Sequence, residues 1–399
     1  MMSAVPQVNV KLTLSLAVVV ALGPAAIDMY LASMPQMSHD LQVSYAATQW
    51  TLTIFLMAMG LGQLLFGPLS DAYGRRMPLI AGIVTYIGSA WAASIATSLE
   101  WLIIARLFQG LGAATAIVVV MSMVRDVAEE QQAAQLYALL NSIVALGPII
   151  APALGGLIGA HYGWQGIMLF LAGLGSVVLI NSLCHIPETL PQHKRETMHL
   201  RHVFAVYFHI LKQRFFVLQL LAMSAVFFFL FAYIGGSSFI YQNDYALSVE
   251  QFGLVFGFTS ISLIVGASLS AYLVKKMPLS RLAYLGAFAM SIAGVVCVIA
   301  ELCGFGLVGI VSGIACALLG LGILEATIMA LAMNSQSQNL GASAALLGAV
   351  PMVLASTATP LAGVLVEMNS LYWVGLLGVI GPVILFLVHT ALKTQPTQA

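Results

Sequence analysis

The stretch from Leu12 to Ile27 carries no charged side chain and is almost wholly apolar, and similar stretches recur along the chain. Each is close to the roughly 20 residues that an α-helix needs to cross the hydrocarbon core of a bilayer. Strands of membrane barrels alternate apolar and polar residues, and these stretches do not alternate. The sequence therefore predicts an all-α protein whose helices span a membrane.

The composition excludes a sizeable water-soluble domain. Of the 399 residues, 61% are hydrophobic and 7% are charged, whereas about 25% of the residues in a soluble domain are charged. The formal net charge of +0 offers no basic patch to a nucleic acid. We predict a multi-pass protein of the bacterial inner (plasma) membrane that contacts lipid, is monomeric and has no nucleic-acid partner.

The cysteines do not indicate a metal site, because their spacing shows no paired ligands. They are Cys184, Cys297, Cys303 and Cys316. We predict neither a metal nor an organic cofactor. A cleaved signal peptide is the alternative interpretation of the first apolar stretch, but that stretch runs into Asp28 without a convincing cleavage site.

Proline, glycine and charge clusters divide the chain into twelve apolar segments of spanning length. The predicted spans are 11–33, 46–67, 79–98, 101–124, 133–160, 165–186, 215–236, 250–273, 281–300, 304–333, 342–366 and 371–392. With the N-terminus inside, 13 of the 14 Lys and Arg residues fall in cytoplasmic segments, and Arg106 lies within a span. The positive-inside bias therefore predicts that both termini are cytoplasmic.

The chain repeats itself at an offset of about 200 residues. The sequence RRMPL at 75–79 returns as KKMPL at 275–279, and PALG at 152–155 returns as PLAG at 360–363. Parallel repeats are typical of two-bundle transporters with a central binding site. We predict an N-terminal six-helix bundle over 1–186, a cytoplasmic linker over 187–214 and a C-terminal six-helix bundle over 215–399.

The linker holds five cations and four histidines. We interpret it as an amphipathic segment that lies on the anionic headgroups. A metal site among the histidines is the alternative. The histidines are His193, His199, His202 and His209.

Three ionisable residues lie inside predicted spans, where a charge costs several kcal/mol unless it faces a cavity or a partner. They are Asp28, Arg106 and Glu325. Asp28 and Arg106 lie about 25 and 21 Å from the inner face, at 1.5 Å per residue. We predict that Asp28 exchanges Arg106 for a proton during transport, and a static buried pair is the alternative. Glu325 is either a second proton site or a recognition group for cationic substrates.

Two further patterns indicate moving helix contacts. Small residues recur every four positions along one face of the fifth span, which lets helices pack closely; they are Gly147, Ala151, Gly155 and Gly159. Ordinary tight packing without movement is the alternative interpretation of this stripe. A short turn after the second span places Asp71 where the N-terminus of span 11 emerges near Gly341, and a carboxylate facing that helix end is favourable. The predicted latch residues are Gly67, Asp71, Gly74, Arg75, Arg76 and Asp126.

These residues resemble a known family. GPLSDAYGRR at 67–76 resembles the loop signature of the major facilitator superfamily, and RLFQGLG at 106–112 is similar to its span-4 motif. GPIIAPALGG at 147–156 resembles the span-5 antiporter motif. IDMYL at 27–31 and PETL at 187–190 narrow the resemblance to drug:proton antiporters of the Bcr/CflA type, which include chloramphenicol and florfenicol exporters.

The resemblance implies a twelve-span fold, export of drugs and a proton gradient as the energy source. It gives the span-4 arginine, here Arg106, a role in proton coupling. It also assigns the antiporter motif to Gly147, Pro148, Pro152, Gly155 and Gly156. Pro148 and Pro152 each remove an intrahelical hydrogen bond and permit a bend.

We expect a mostly apolar cavity between the halves, suited to neutral or weakly cationic amphiphiles such as amphenicols. The candidate lining residues are Tyr30, Gln63, Asn141, Phe227, Phe231, Tyr233 and Met352. A phosphate-binding loop requires a glycine directly before its lysine, and no lysine in this sequence follows a glycine. An ion gradient must therefore supply the energy. A proton-coupled importer of a small polar nutrient is the alternative, although more polar side chains would be expected in its spans.

A membrane enzyme would need a nucleophile or metal cluster, and the sequence shows neither. A membrane sensor or scaffold would need a folded surface outside the bilayer, and the loops are too short to form one. The sequence therefore favours a transporter over either of these classes.

Overall fold

The computed structural model describes residues 10–195, 200–336 and 338–394. Every regular element within those residues is a helix. Eleven helical segments there are long and apolar enough to cross a membrane. This confirms the prediction of an all-α protein built from apolar helices.

In chain order the helices are Val10–Val20 (α1), Leu22–Asp28 (α2), Met34–Asp40 (α3), Tyr45–Tyr73 (α4), Arg76–Ser94 (α5), Leu99–Val127 (α6), Glu130–His185 (α7), Leu200–Ile210 (α8), Arg214–Phe239 (α9), Val249–Leu273 (α10), Leu279–Leu302 (α11), Gly306–Asn334 (α12), Leu340–Ser356 (α13), Ala358–Met368 (α14) and Ser370–Lys393 (α15). Short 3₁₀ turns lie at Leu31–Ser33 and Gln192–Lys194, and a π-helical turn at Ile240–Asp244 follows α9.

Consecutive long helices run in opposite directions between short loops. One end of the bundle therefore carries Arg75 and Arg125, and we call it the basic end. The opposite end carries Glu100 and Glu250, and we call it the acidic end.

Helix α7 is interrupted at Gly163. Its 56 residues would extend about 84 Å as one straight helix, nearly three times the hydrocarbon thickness. Gly163 has φ 67° and ψ −177°, a conformation that glycine adopts without the penalty that a Cβ would bring. The chain therefore turns there into two segments, each long enough to span.

Two predicted spans are broken helices. The first, predicted as one helix over 11–33, is divided into α1, α2 and a 3₁₀ turn. The span predicted over 342–366 is divided into α13 and α14 at Thr357. Pro360 has no amide hydrogen for the carbonyl of Ser356, and the Thr359 hydroxyl donates to that carbonyl instead, at 3.2 Å. The predicted linker also contains a regular helix, α8, whose Tyr207 and Ile210 are buried.

Small residues let helices approach to backbone contact at several crossings. A Cβ at Gly155 would overlap the carbonyl of Met29, and one at Gly147 would meet the Pro24 ring. The fifth-span stripe therefore packs against the first span. On the neighbouring face, α10 approaches the Pro152 and Ile149 carbonyls, so α7 also contacts the second half of the chain.

Gly155→Ala is expected to lower the free energy of unfolding by about 1–3 kcal/mol, because the added methyl group overlaps the Met29 backbone. Thermal unfolding in detergent measures the effect. The matched control is Gly173→Ala in the same long helix, where a Cβ would meet nothing within 4 Å. Equal stability of the two variants would contradict the close approach of α7 to the first span.

Candidate functional site

Asp28 ends helix α2 in the interior of the bundle, where the first span is interrupted. The residue is 3% exposed. Within the described residues its carboxylate makes neither a hydrogen bond nor an ion pair. An added Cβ at Gly147 would lie 3.8 Å from Oδ2. Asp28 is therefore a buried acid whose oxygens are available to a proton or a ligand.

Arg106 lies on α6 and is fully buried. Its guanidinium donates to Gln109 Oε1 at 2.6 Å, to the Ala26 carbonyl at 2.9 Å and to the Thr51 carbonyl at 3.4 Å. The rings of Tyr30 and Phe55 lie 4.4 and 4.2 Å from its Cζ atom, and ring faces attract a cation. Neutral groups thus surround the charge.

Asp28 and Arg106, both among the described residues, form no ion pair in this structure, and the predicted exchange of Arg106 for a proton stays a prediction. The alternative of a static buried pair is likewise absent. Arg106 instead contacts the first span through the Ala26 carbonyl. Ala26 lies in the last turn of α2, where helix carbonyls lose their intrahelical donors, and the planar guanidinium can satisfy several acceptors at once.

Glu325 lies in the second half of α12 and is half-buried. It makes no hydrogen bond or ion pair with the part of the chain that the structure describes. Residues on the same face of α12 are buried, including Leu318, Leu321 and Ile328. Glu325 therefore points toward the protein interior, and the two roles predicted for it both stay open.

The structure separates the candidate lining residues by burial. Tyr30, Phe231 and Tyr233 are buried. Gln63, Phe227 and Met352 are half-buried, and Asn141 is exposed. The structure brings two of them to the same crossing: an added Cβ at Gly60 would lie 3.2 Å from Met352 Cβ, and one at Gly348 would lie 2.5 Å from Gln63 Oε1. Both side chains thus lie where α4 meets α13.

One predicted residue, Tyr233, and three residues that were not predicted carry buried polar atoms without a partner among the described residues. Gln49 Oε1, Gln109 Nε2 and the hydroxyls of Tyr233 and Tyr241 lack a hydrogen-bond partner among the described atoms. An amide side chain inside an apolar span is the sequence signal that marks Gln49 and Gln109. Tyr241 lies on the π-helical turn, a feature often found at functional sites that the sequence pattern did not show.

Two apolar grooves of about 350 and 240 Å³ lie elsewhere, on the flank formed by α4, α5 and α6. They share Thr85 and Phe108, and Asp28 contributes to neither. Because exposed apolar residues such as Phe108 and Trp101 line this flank, we assign it to the lipid-facing side.

At the basic end Arg75 is the centre of a polar cluster. It donates to Asp71 Oδ1 at 2.5 Å, to Asp126 Oδ2 at 2.8 Å and to Ser70 Oγ at 2.8 Å. Burial by itself would lower the pKa of the Arg75 guanidinium, but Asp126 and Asp71 together raise that pKa above its ordinary value. Asp71 is thus bound to Arg75, and among the described residues it makes no hydrogen bond to the N-terminus of α13 near Gly341.

The end of the sixth span closes this cluster. Glu188 accepts hydrogen bonds from the backbone amides of Arg75 and Arg76 at 2.8 and 3.3 Å, and a carboxylate there is favourable because those amides begin α5. The hydroxyl of Thr189 donates to Asp126 Oδ2 at 3.0 Å. Gly74, with φ 91°, makes the left-handed turn between α4 and α5. The PETL sequence therefore caps α5 and holds the cluster together.

No group of three or more His, Cys, Asp or Glu side chains that could hold a metal occurs among the residues described. Of the four linker histidines, His199 lies outside the described residues, as does the side chain of His202.

Comparison with known proteins identifies the class of this chain. The family model of the Major Facilitator Superfamily matches residues 16–344. The chain is 30% identical over 361 residues to an uncharacterized MFS-type transporter of Bacillus subtilis, YdgK, and the match covers 89% of each chain. The chain belongs to the Major Facilitator Superfamily.

Two further similarities refine this assignment. The chain is 26% identical over 337 residues to a bicyclomycin resistance protein homolog of Haemophilus influenzae, covering 84% of this chain and 85% of the relative. A crystal structure of the nucleoside transporter NupG superposes with a TM-score of 0.76 at 13% identity, over 96% of this chain and 99% of that one. At that identity the superposition shows a shared fold.

Asp126→Asn is expected to lower the free energy of unfolding by about 1.5–3 kcal/mol, because Arg75 and Thr189 lose a charged acceptor. Arg75 and Asp126 side chains are 6% and 15% exposed, so water replaces the lost charge poorly. The matched control is Glu129→Gln, an exposed acid at the same end. Chemical or thermal unfolding measures the stability of both variants. An equal loss of stability in the two would contradict the stabilising role of Asp126 in the polar cluster around Arg75.

Proposed function

We propose that the protein is a proton-coupled drug exporter that works by alternating access. It moves neutral or weakly cationic amphiphiles, amphenicols among them, out of the cell in exchange for protons. The resistance-protein relative and the resemblance of the motifs to chloramphenicol exporters support the drug class. The superfamily supports a transporter rather than an enzyme.

The proposed topology has twelve spans, and the interruption at Gly163 supports two of them within α7. The bundles cover 1–186 and 215–399, joined by the linker over 187–214. The basic end faces the cytoplasm, as the positive-inside bias requires, so both termini lie there. We place the protein in the inner membrane as a monomer.

The observation that carries the proposal is the unpaired, buried carboxyl group of Asp28. An ionised carboxylate buried inside a membrane span costs several kcal/mol unless a partner or water compensates it. A proton removes that cost. When the cavity opens to the opposite face of the membrane, water or a competing ligand allows the proton to leave Asp28. The protonation of Asp28 is thereby coupled to the conformation of the protein.

Arg106 acts on this site without pairing with Asp28. Its hydrogen bonds hold the Ala26 and Thr51 carbonyls, so the guanidinium keeps α2 and α4 in place around the acid. The same bonds make it a poor receptor for an anionic substrate. Two side-chain atoms without a partner among the described residues, Gln109 Nε2 and Gln49 Oε1, can instead donate to a carbonyl group and accept from a hydroxyl group of a neutral drug.

One proton is energetically sufficient. A proton that moves down a potential of 100 mV releases about 2.3 kcal/mol, and each decade of concentration costs about 1.4 kcal/mol. One coupling carboxylate therefore sustains a drug gradient of roughly fifty-fold.

Asp28→Asn is expected to abolish drug-induced proton release while drug binding is retained, because asparagine resembles the protonated acid in shape. A pH-sensitive dye in everted membrane vesicles reports the collapse of a respiration-driven gradient when chloramphenicol, florfenicol or bicyclomycin is added. Equilibrium binding of labelled drug to purified protein gives the second readout. Glu250→Gln, which changes a partly exposed acid at the acidic end, serves as the control.

Two outcomes would overturn the proposal. If no drug releases protons from vesicles of the wild-type protein, drug:proton exchange is wrong, and an importer becomes the alternative to test with polar nutrients. If Asp28→Asn releases protons as the wild type does, the assignment of Asp28 is wrong.

Glu325→Gln distinguishes the two roles of the second buried acid. If Glu325 recognises cationic substrates, the variant is expected to lose export of a lipophilic cation at least ten-fold and to keep chloramphenicol export. If Glu325 carries a second proton, export of both compounds falls, and the number of protons released per drug decreases. Unchanged export of both compounds would exclude both roles.

A further inference from the structure

Helix α4 and the α13–α14 pair form an antiparallel crossing between the two halves of the chain. We call their contacts the seam. At the acidic end the carboxylate of Glu367 accepts a hydrogen bond from the backbone amide of Ala46 at 3.2 Å. Ala46 lies in the first turn of α4, where amides have no intrahelical acceptor. The neighbouring amide, that of Ala47, is capped locally by Ser44 at 3.1 Å.

The approach of Glu367 to α4 follows a regular pattern. Residues 359, 363 and 367 are four apart and share a face of α14. The Thr359 and Thr53 hydroxyls lie 2.9 Å apart, and a Cβ at Gly363 would lie 2.9 Å from Ala46 Cα. The Cβ at Gly363 would also lie 2.9 Å from Gln49 Cγ. The face of α14 therefore runs back along α4 from Thr53 to Ala46, and Glu367 makes the last of these contacts.

Other bonds between the halves also lie toward the acidic end. The Tyr45 hydroxyl donates to the Gly235 carbonyl at 2.8 Å, and the Ser238 hydroxyl to the Leu31 carbonyl at 2.6 Å. The contacts of α4 with α13 continue as far as Gln63 and Gly348. The halves are therefore in contact from the acidic end to the middle of the seam.

At the basic end the corresponding contact is not formed. Asp71, near the C-terminus of α4, is bound to Arg75, and its side chain is 47% exposed. An added Cβ at Gly341, in the first turn of α13, would lie 3.1 Å from an Arg125 nitrogen. A cation beside a helix N-terminus is unfavourable. Each helix of the antiparallel pair thus carries an acid near its C-terminus that can meet the N-terminus of the other.

We infer that Glu367 is a latch of the acidic end and the counterpart of Asp71 at the basic end. The Glu367 carboxylate binds the positive N-terminus of α4 and stabilises the state in which the acidic end is closed. When that end opens, α14 parts from α4 and the Ala46 amide loses its acceptor. Formation of the Asp71 contact at the basic end then stabilises the opposite state. This inference rests on the alternating access of the proposed function.

Spin labels across the acidic end test the latch. The native Cys303 and a Thr97→Cys substitution are both exposed in loops of that end, and the other three cysteines are replaced by alanine. Electron–electron distance measurements in lipid nanodiscs, without drug or gradient, then give the populations of short and long distances. The outcome is therefore independent of whether drugs drive proton release.

Glu367→Gln keeps the size of the side chain and removes its charge. Because a surface carboxylate at a helix N-terminus contributes about 0.3–1 kcal/mol, the ratio of long to short distances is expected to rise about two- to five-fold. Glu100→Gln removes an exposed acid from the same end, in the first turn of its own helix, and should leave the ratio unchanged. Asp71→Asn is expected to lower the ratio.

The opposite signs of the two variants make the test specific. A ratio in Glu367→Gln equal to that of the parent, or to that of Glu100→Gln, would overturn the role of Glu367. A ratio that rises in both Glu367→Gln and Asp71→Asn would indicate general loosening rather than a latch. An unchanged ratio in Asp71→Asn would overturn the reciprocal arrangement.

Discussion

The structure depends on the hydrogen bonds that Arg106 donates to backbone carbonyls where the first span is broken inside the membrane. Backbone groups in hydrocarbon must find partners within the protein, and α2 ends at Asp28, well inside the bundle. The Arg106 guanidinium donates to the Ala26 and Thr51 carbonyls. One buried cation thus joins three helices, and the ring faces of Tyr30 and Phe55 replace the counterion that it would otherwise need. Asp28 is left unpaired for that reason.

Unpaired backbone groups at helix ends are satisfied by side chains elsewhere in the protein too, here by carboxylates that accept from amides. Glu188 binds the first amides of α5, and Glu367 binds an amide of the first turn of α4. In both cases a carboxylate from a distant part of the chain faces the positive end of a helix dipole. Such contacts break without exposing an unpaired charge to hydrocarbon, because both ends lie near water. They therefore suit contacts that must form and break during transport.

Much of the fold could be predicted from local patterns. The span predicted over 46–67 corresponds to α4, which begins at Tyr45 and continues to Tyr73. Hydropathy detects only the apolar part of α4. Backbone hydrogen bonds continue the helix beyond that part, through the polar residues up to Tyr73. The breaks at Thr357 and in the first span were not predicted, because the apolar pattern continues through both. Near Thr357 it is Pro360 that removes an amide hydrogen. The linker was predicted as an amphipathic segment, but its regular helix, α8, was not predicted.

The sequence by itself determined the membrane class, the side on which the cations gather and the presence of Asp28, Arg106 and Glu325 inside the spans. These properties depend on hydrophobicity and charge along the chain. Tertiary structure alone decided the hydrogen-bond partners. Arg106 donates to neutral acceptors and not to Asp28, and Glu367 accepts a hydrogen bond from Ala46, 321 positions away in the sequence. The physical reason is that hydrogen bonds need atoms within about 3 Å, and only the packing of helices sets distances between residues so far apart in sequence.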